Sequence, residues 1–189
     1  MRDAAATRRR IMAAATAEFA DHGIAGARVD RIAAAARTNK AQLYSYFGNK
    51  DALFDAIFAA QVADNVNAVP LTEEDLPGYA VGLYDAYLAD QALVRLLTWA
   101  RLERTPRGAL FGHVPDHDVP VLAALEQAQQ IGLLVDDIST GDLWSMLIAL
   151  AGTWAQAAII HAADSSDPED DHDRRRQALA VTVRRAFCR

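Results

Sequence analysis

Cysteine is nearly absent from this chain. Its single thiol, Cys188, lies beside the C-terminus, so no disulfide can form within the chain and nothing points to an oxidising compartment. The basic residues Arg2, Arg8, Arg9 and Arg10 precede an alanine-rich segment broken by Glu18 and Asp21, not an apolar stretch with a cleavage site, so no secretion signal is expected. Charge is missing altogether from Leu143 to Ala163, a run long enough to span a bilayer. Ser145, Thr153, Gln156 and His161 interrupt that run, Asp142 and Asp164 flank it, and no Lys or Arg anchors either end, which argues against a membrane span. A glycine-rich phosphate loop, a nucleophile elbow and a helical pair of metal-binding histidines are also lacking, so neither enzyme nor cofactor chemistry is expected. His113 and His117 stand four apart beside Asp116 and Asp118, but Pro115 and Pro120 interrupt any regular helix there and no cysteine joins them, so no metal site is expected.

What is present is an ordinary globular composition, 52% apolar and 23% charged over 189 residues, which is enough to bury a substantial core. Helical periodicity dominates and no stretch sustains a period of two, so the fold is expected to be all-α. The spacing predicts helices over Ala5–His22, stopped by Gly23; Val29–Ala36; Lys40 to Tyr46 or Phe47; and one from Lys50 through Val62, capped by Asn49. Beyond a linker marked by Pro70, Pro77 and Gly78, helices are expected at Tyr79–Ala89, Gln91–Arg104, Val121–Gln130, Thr140–Ala163 and Glu169–Phe187, with Thr105–Pro120 irregular. The net charge of -6 is unevenly placed. Residues 1–61 hold nine Lys/Arg and six Asp/Glu, a balance of +3, whereas residues 62–189 hold ten and nineteen, a balance of -9. That asymmetry fits a chain whose first part, residues 1–61, approaches a polyanion while a second domain, residues 62–189, does something else.

The segment VDRIAAAARTNKAQLYSYF, residues 29–47, carries the functional signal. Two short helices joined by a tight break, with Ile32, Ala33 and Ala36 facing Leu43 and Phe47, have the pattern of a helix-turn-helix. The second helix is too short to persist alone, and its outward positions Lys40, Gln42, Tyr44, Ser45 and Tyr46 carry donors and acceptors suited to phosphates and base edges. A helical interaction adaptor without DNA binding is the rival reading, which the basic first third and these polar outward residues disfavour.

Here the chain resembles the TetR family of regulators. The resemblance rests on Gly23, Ile32-Ala33, Leu43-Tyr44-Ser45-Tyr46-Phe47 and Lys50-Asp51-Ala52-Leu53, and covers about residues 5–60. It implies that Thr38, Lys40, Tyr44, Tyr46 and Lys50 contact phosphates of double-stranded operator DNA, that Ala41, Gln42 and Ser45 lie nearest the bases, and that Arg28 and Val29 face the same backbone. The chain departs from the family in its turn, where Arg37-Thr38-Asn39 replaces the usual Gly-Val-Ser, and Arg37 gains a possible phosphate contact; Ala41 and Gln42 replace a glycine and a threonine, so base preference does not transfer.

The lone cysteine makes a cytoplasmic protein the expectation, and the family resemblance further implies a homodimer that pairs through its last two long helices, represses by default and answers a small-molecule effector. Leu143, Leu150 and Ile159 on one helix and Leu179, Val183 and Phe187 on the other are the expected interface. Tyr84, Tyr87, Trp99, Leu102, Phe111, His113, Trp144, Leu147 and Trp154 are the candidates for an effector pocket, although aromatic residues at helical spacing are more often core. Effector uptake would then shift the helix that starts at Lys50 and change the separation of two reading heads.

Overall fold

The computed structural model describes residues 2–110, 119–155 and 158–189, with the side chains of 2 and 3 left aside. Its elements are α1 (Arg2–Gly26), α2 (Val29–Ala35), α3 (Lys40–Phe47), α4 (Lys50–Ala68), a 3-10 turn (Glu73–Asp75), α5 (Leu76–Ala89), α6 (Gln91–Trp99), a π-helical turn (Ala100–Arg104), α7 (Val119–Gln130), α8 (Thr140–Ala151) and α9 (Glu169–Phe187). Among the described residues the only extended pairing is an isolated antiparallel bridge between Leu134 and Cys188, so the chain is all-α as its periodicity predicts. No helix among them is long and apolar enough to cross a membrane.

The chain divides into two compact units, and the division does not follow the sequence in one cut. The first comprises residues 1–64 together with 92–112; the second comprises 65–91 and 113–189. Sorted this way, the first unit holds thirteen Lys/Arg against eight Asp/Glu, a balance of +5, and the second holds six against seventeen, a balance of -11. The structural partition therefore separates charge more sharply than the linear cut at residue 61, because Arg95, Arg101, Arg104 and Arg107 all fall in the first unit.

Within the first unit, Ile11, Ala15 and Phe19 recur at one helical face of α1 and are buried, as are Ile32, Ala33 and Ala36, Leu43 and Phe47 of α3, and Leu53, Phe54, Ile57 and Phe58 of α4, with α1 packed along α2 and α2 on α3. Phe19 meets Phe54 edge-on at 5.3 Å between centroids, and Phe54 stacks on Phe58 at 5.8 Å, both favourable aromatic geometries. From α6, Leu93, Val94 and Leu96 are also buried. Asn49 caps α4 as expected, accepting the Ala52 N–H at 2.8 Å.

The second unit is built on α5 packed along α8 and α9, with α7 alongside α8. Leu76, Leu83, Leu125, Leu143, Leu147, Leu179, Val183 and Phe187 form its core. α5 starts three residues earlier than the sequence indicated, because Asp75 accepts the Gly78 N–H at 2.9 Å and Pro77 occupies the first turn, where its missing N–H costs nothing.

Three further boundaries depart from the sequence reading. Gly23 does not end α1 but kinks it, at φ 73° and ψ 179°, and a further turn runs to Gly26. The helix expected over Gln91–Arg104 shifts to a π-helical turn after Trp99, with the Thr105 N–H bonded to the Ala100 carbonyl at 2.8 Å. The helix expected over Thr140–Ala163 stops at Ala151. Gly152 sits at its C-terminus, where glycine costs a helix interior about 1 kcal/mol, and the chain then folds back so that the Ala163 N–H bonds the Trp154 carbonyl at 2.8 Å. The uncharged run is thereby split between a helix and a turn, which leaves Ile159 and Ile160 99% and 95% exposed.

Gly23 is the most constrained backbone position in the first unit. A Cβ there would lie 2.7 Å from Glu103 Oε1 and 3.1 Å from the Trp99 ring, in addition to the unfavourable positive φ. Gly23→Ala is expected to lower unfolding free energy by about 1–3 kcal/mol, the typical cost of a strained backbone residue; chemical denaturation of the two proteins measures the difference.

Candidate nucleic-acid interface and ligand cleft

The reading helix α3 is only eight residues long and is held in place by its neighbours. Leu43 and Phe47 anchor its inner face in the core, and Asn39 caps its start by accepting the Gln42 N–H at 2.8 Å, a bond worth about 1 kcal/mol. The turn before it closes without glycine because Arg37 adopts φ 52°, the left-handed conformation the sequence leaves unassigned. Thr38 donates its hydroxyl to Gln42 Oε1 at 2.5 Å, which orients the amide on the exposed face. Ala41, Gln42 and Ser45 are exposed, with Lys40 and Asn39 beside them, and Tyr44 and Tyr46 are half-buried at the flanks. Tyr46 leans on Phe47 at 6.4 Å, so part of each tyrosine ring packs while the helix keeps a polar outer surface.

Two expected DNA-facing residues also have partners within the fold. The Val29 side chain is buried at the first turn of α2 and, being apolar, has no group to offer a phosphate. Lys50 is half-buried, and its ammonium donates to the carbonyls of Ala25 and Ala27, each at 3.3 Å. A cation at the carbonyl end of α1 is electrostatically favourable, so Lys50 has a structural partner that its place at the start of α4 concealed. Lys40 lies 3.6 Å from Asp30, whereas the exposed Arg28 and Arg37 make no ion pair among the described residues.

Glu18, which the sequence shows only as a charge breaking the alanine-rich first segment, organises the start of α2. The largely buried carboxylate of Glu18 accepts the Arg28 N–H at 2.8 Å and the Arg31 guanidinium at 2.5–2.8 Å, so a side chain from α1 does the work of an N-cap for α2. The Arg31 hydrogen bonds, followed by that from the Arg28 N–H, hold the Glu18 carboxyl below the usual carboxylate range. Only the tertiary contact reveals this role, since Glu18 and Arg31 are thirteen residues apart.

In the second unit, Tyr84, Tyr87 and Trp154 converge with Leu88, Gln91 and Ala163 on a narrow cleft of about 10 Å³, room for roughly one water and far smaller than the usual small-molecule site. Tyr84 meets Trp154 edge-on at 5.8 Å, and its hydroxyl hydrogen-bonds Nδ1 of the buried His172 at 2.7 Å. Burial pushes the Tyr87 hydroxyl up to about 12. Behind them the buried Arg175 guanidinium bonds Asp167 at 2.7 Å and His161 Nε2 at 2.9 Å. Other expected pocket residues lie elsewhere. Trp144 stacks on Tyr79 at 6.1 Å, and Leu147 belongs to the core. Trp99 lies in the first unit, its indole N–H donating to the Ala20 carbonyl at 3.1 Å; Leu102 is in the same unit and is 65% exposed. Phe111 and His113 lie outside the described residues, as do Asp116, His117 and Asp118. Among the described residues no group of three or more His, Cys, Asp or Glu could hold a metal ion.

The expected pairing residues also need correction. Leu143, Leu179, Val183 and Phe187 are buried within this chain's own core, because α8 and α9 turn those faces toward α5, so they have no surface left for a second subunit. Leu150 is half-buried and Ile159, off the end of α8, is almost fully exposed. The outward apolar residues of these helices are Met146 and Val181.

A pH prediction follows from Glu18. Its folded-state pKa lies below that of the unfolded chain, so its contribution is complete above the ordinary carboxylate range and is lost as pH falls through the folded value. Stability of the wild type is expected to fall more steeply than that of Glu18→Gln between about pH 5 and pH 3, with denaturant midpoints at each pH as the measurement.

Known proteins place the chain among regulators. Residues 11–57 match the family described as bacterial regulatory proteins, tetR family, and residues 75–185 match the tetracyclin repressor-like C-terminal domain. The chain is 41% identical over 158 residues to the HTH-type transcriptional repressor SCO4008 of Streptomyces coelicolor, a match spanning 82% of this chain and 80% of that protein. Among solved structures, a putative transcriptional regulator, SCO4942, from the same organism superimposes with a TM-score of 0.77 at 41% identity, over 96% of this chain and 98% of that one. A TetR family transcription regulator from Marinobacter aquaeolei VT8 shares the fold at a TM-score of 0.73 and 20% identity, over the whole of both chains. With a helix-turn-helix matching one family model and a helical domain matching the other over more than half its length, the chain belongs to the TetR family of DNA-binding transcriptional regulators.

Proposed function

We propose that this protein is a cytoplasmic, ligand-responsive repressor that binds an inverted-repeat operator as a homodimer and leaves it when a small molecule occupies the second unit. The observation that carries the DNA half of the reading is the capped, outward face of α3, where Ala41, Gln42 and Ser45 are exposed between Lys40 and the two tyrosines. Those side chains suit base edges and phosphates respectively. Repression is supported by the relative that is 41% identical and named a transcriptional repressor.

Homodimerisation is supported by apolar surface that single-chain folding leaves outward on the last two helices. Met146 of α8 is 41% exposed and Val181 of α9 is 40% exposed, with Leu150 half-buried nearby on α8. A two-fold pair would set its reading helices one turn of the duplex apart, about 34–36 Å. The effector half of the reading rests on the aromatic cluster of Tyr84, Tyr87 and Trp154, whose narrow cleft must widen to admit a small molecule. The helix α4 contains residues of both units, 50–64 and 65–68, and is the covalent path along which occupancy of the second could bias the first.

Footprinting the purified protein on the DNA adjoining its own gene is expected to protect an inverted repeat, and Gln42→Ala is expected to weaken binding to that repeat by about 1–3 kcal/mol while sparing random duplex. Equal loss on both duplexes would remove Gln42 from base reading, and no protection at any sequence would defeat operator binding. For the pairing surface, Met146→Glu together with Val181→Glu is expected to convert dimers to monomers in sedimentation equilibrium without lost helicity. Dimers that persist at the same concentration would exclude this surface.

A further inference from the structure

The cations of the first unit differ in what they face. Arg31, Lys40, Arg95 and Arg104 each face a carboxylate, from Glu18, Asp30, Asp21 and Asp55 respectively. Lys50 is spent on backbone carbonyls, and Arg101 donates to those of Thr105 and Gly108. By contrast Arg8, Arg9 and Arg10, in the first turns of α1, meet no carboxylate among the described residues, and neither do Arg28 and Arg37. The placement of the α1 arginines relates them to the reading surface. The Arg8 guanidinium lies 5.3 Å above the ring of Phe47, the last residue of α3, and Arg10 donates to the Ala36 carbonyl at 3.2 Å, next to the turn that holds Arg37. The start of α1 therefore borders both the end of α3 and the turn before it. Arg9 is exposed on the side of α1 away from the buried Thr7 and Ile11.

Uncompensated cations beside a duplex-reading helix release counterions when phosphate replaces solvent, whereas cations already neutralised by carboxylates release few. From this distribution we propose that Arg8 and Arg9 of α1 contact DNA phosphates flanking the segment read by α3, with Arg10 as a positioning residue that ties α1 to the turn. The cation–π contact holds Arg8 in place before DNA arrives, which reduces the ordering cost of the phosphate contact. The inference rests on the duplex-binding reading and adds a surface that lies outside the helix-turn-helix.

The test is the salt dependence of affinity for a fluorescein-labelled random-sequence duplex of about 30 base pairs, followed by anisotropy for the full-length wild type, Arg8→Gln/Arg9→Gln, and a charge-matched control, Arg184→Gln/Arg185→Gln in the second unit. Neither Arg8 nor Arg9 bonds a backbone carbonyl, and circular dichroism checks that helicity is retained. Each phosphate contact contributes about 0.9 to the slope of log K against log salt, so the double α1 variant is expected to be shallower than wild type by about 1.8, with the control unchanged. An unaltered slope in the α1 variant overturns the inference while leaving duplex binding intact. An equal change in the control overturns it also, by assigning the effect to net charge alone. A wild type with no salt-dependent affinity at all removes duplex binding itself, and the α1 contacts with it.

Discussion

The carbonyls that α1 leaves unpaired at its C-terminal end and the N–H groups that α2 leaves unpaired at its start are separated by only a few residues, and every one left buried without a partner would cost free energy. Side chains from four elements resolve this. Glu18 of α1 takes the Arg28 N–H, Lys50 of α4 donates to the carbonyls of Ala25 and Ala27, Arg95 and Trp99 of α6 both donate to the Ala20 carbonyl, and Glu103 of the π-helical turn accepts the Ala25 N–H at 2.7 Å. The kink at Gly23 is what brings these groups within reach, and the close approach of Trp99 and Glu103 is why a side chain cannot stand there. The orientation of α2, and through it the seating of α3, depends on this polar junction as much as on the apolar core beneath it.

The junction also explains why residues 92–112 join the first unit although they lie far along the chain. Arg104 adds an ion pair to Asp55 at 2.8 Å on α4, and the switch from α to π hydrogen bonding after Trp99 accompanies the placement of Glu103 and Arg104 against different helices. Arginines that look like part of an acidic second half in the linear sequence thus add to the basic unit. The resulting split of +5 and -11 favours approach of the first unit to a polyanion and disfavours that of the second.

In the second unit the same side chains were candidates for core, cleft and subunit interface, and packing distributes them. Tyr84 and Trp154 serve both core and cleft, because their ring edges meet while the Tyr84 hydroxyl is satisfied by His172. Leu143, Leu147, Leu179 and Val183 are taken entirely by the core. A helix stripe read from sequence identifies what must be buried; it does not say whether the burying partner is another part of the chain or a second molecule.

Local physics made much of this molecule readable from its residues. The all-α class, the short pair of helices around residues 29–47, the Asn49 cap and the inward set Ile32, Ala33, Ala36, Leu43 and Phe47 all follow from helical periodicity and capping chemistry, which act over a few residues. Tertiary structure alone decided the rest: that Val29 turns inward, that Lys50 is held by carbonyls twenty-three and twenty-five residues away, and that Glu18 caps a helix other than its own. Each of those outcomes is set by a partner distant in sequence, and a partner's position is a property of the folded chain that no local pattern encodes.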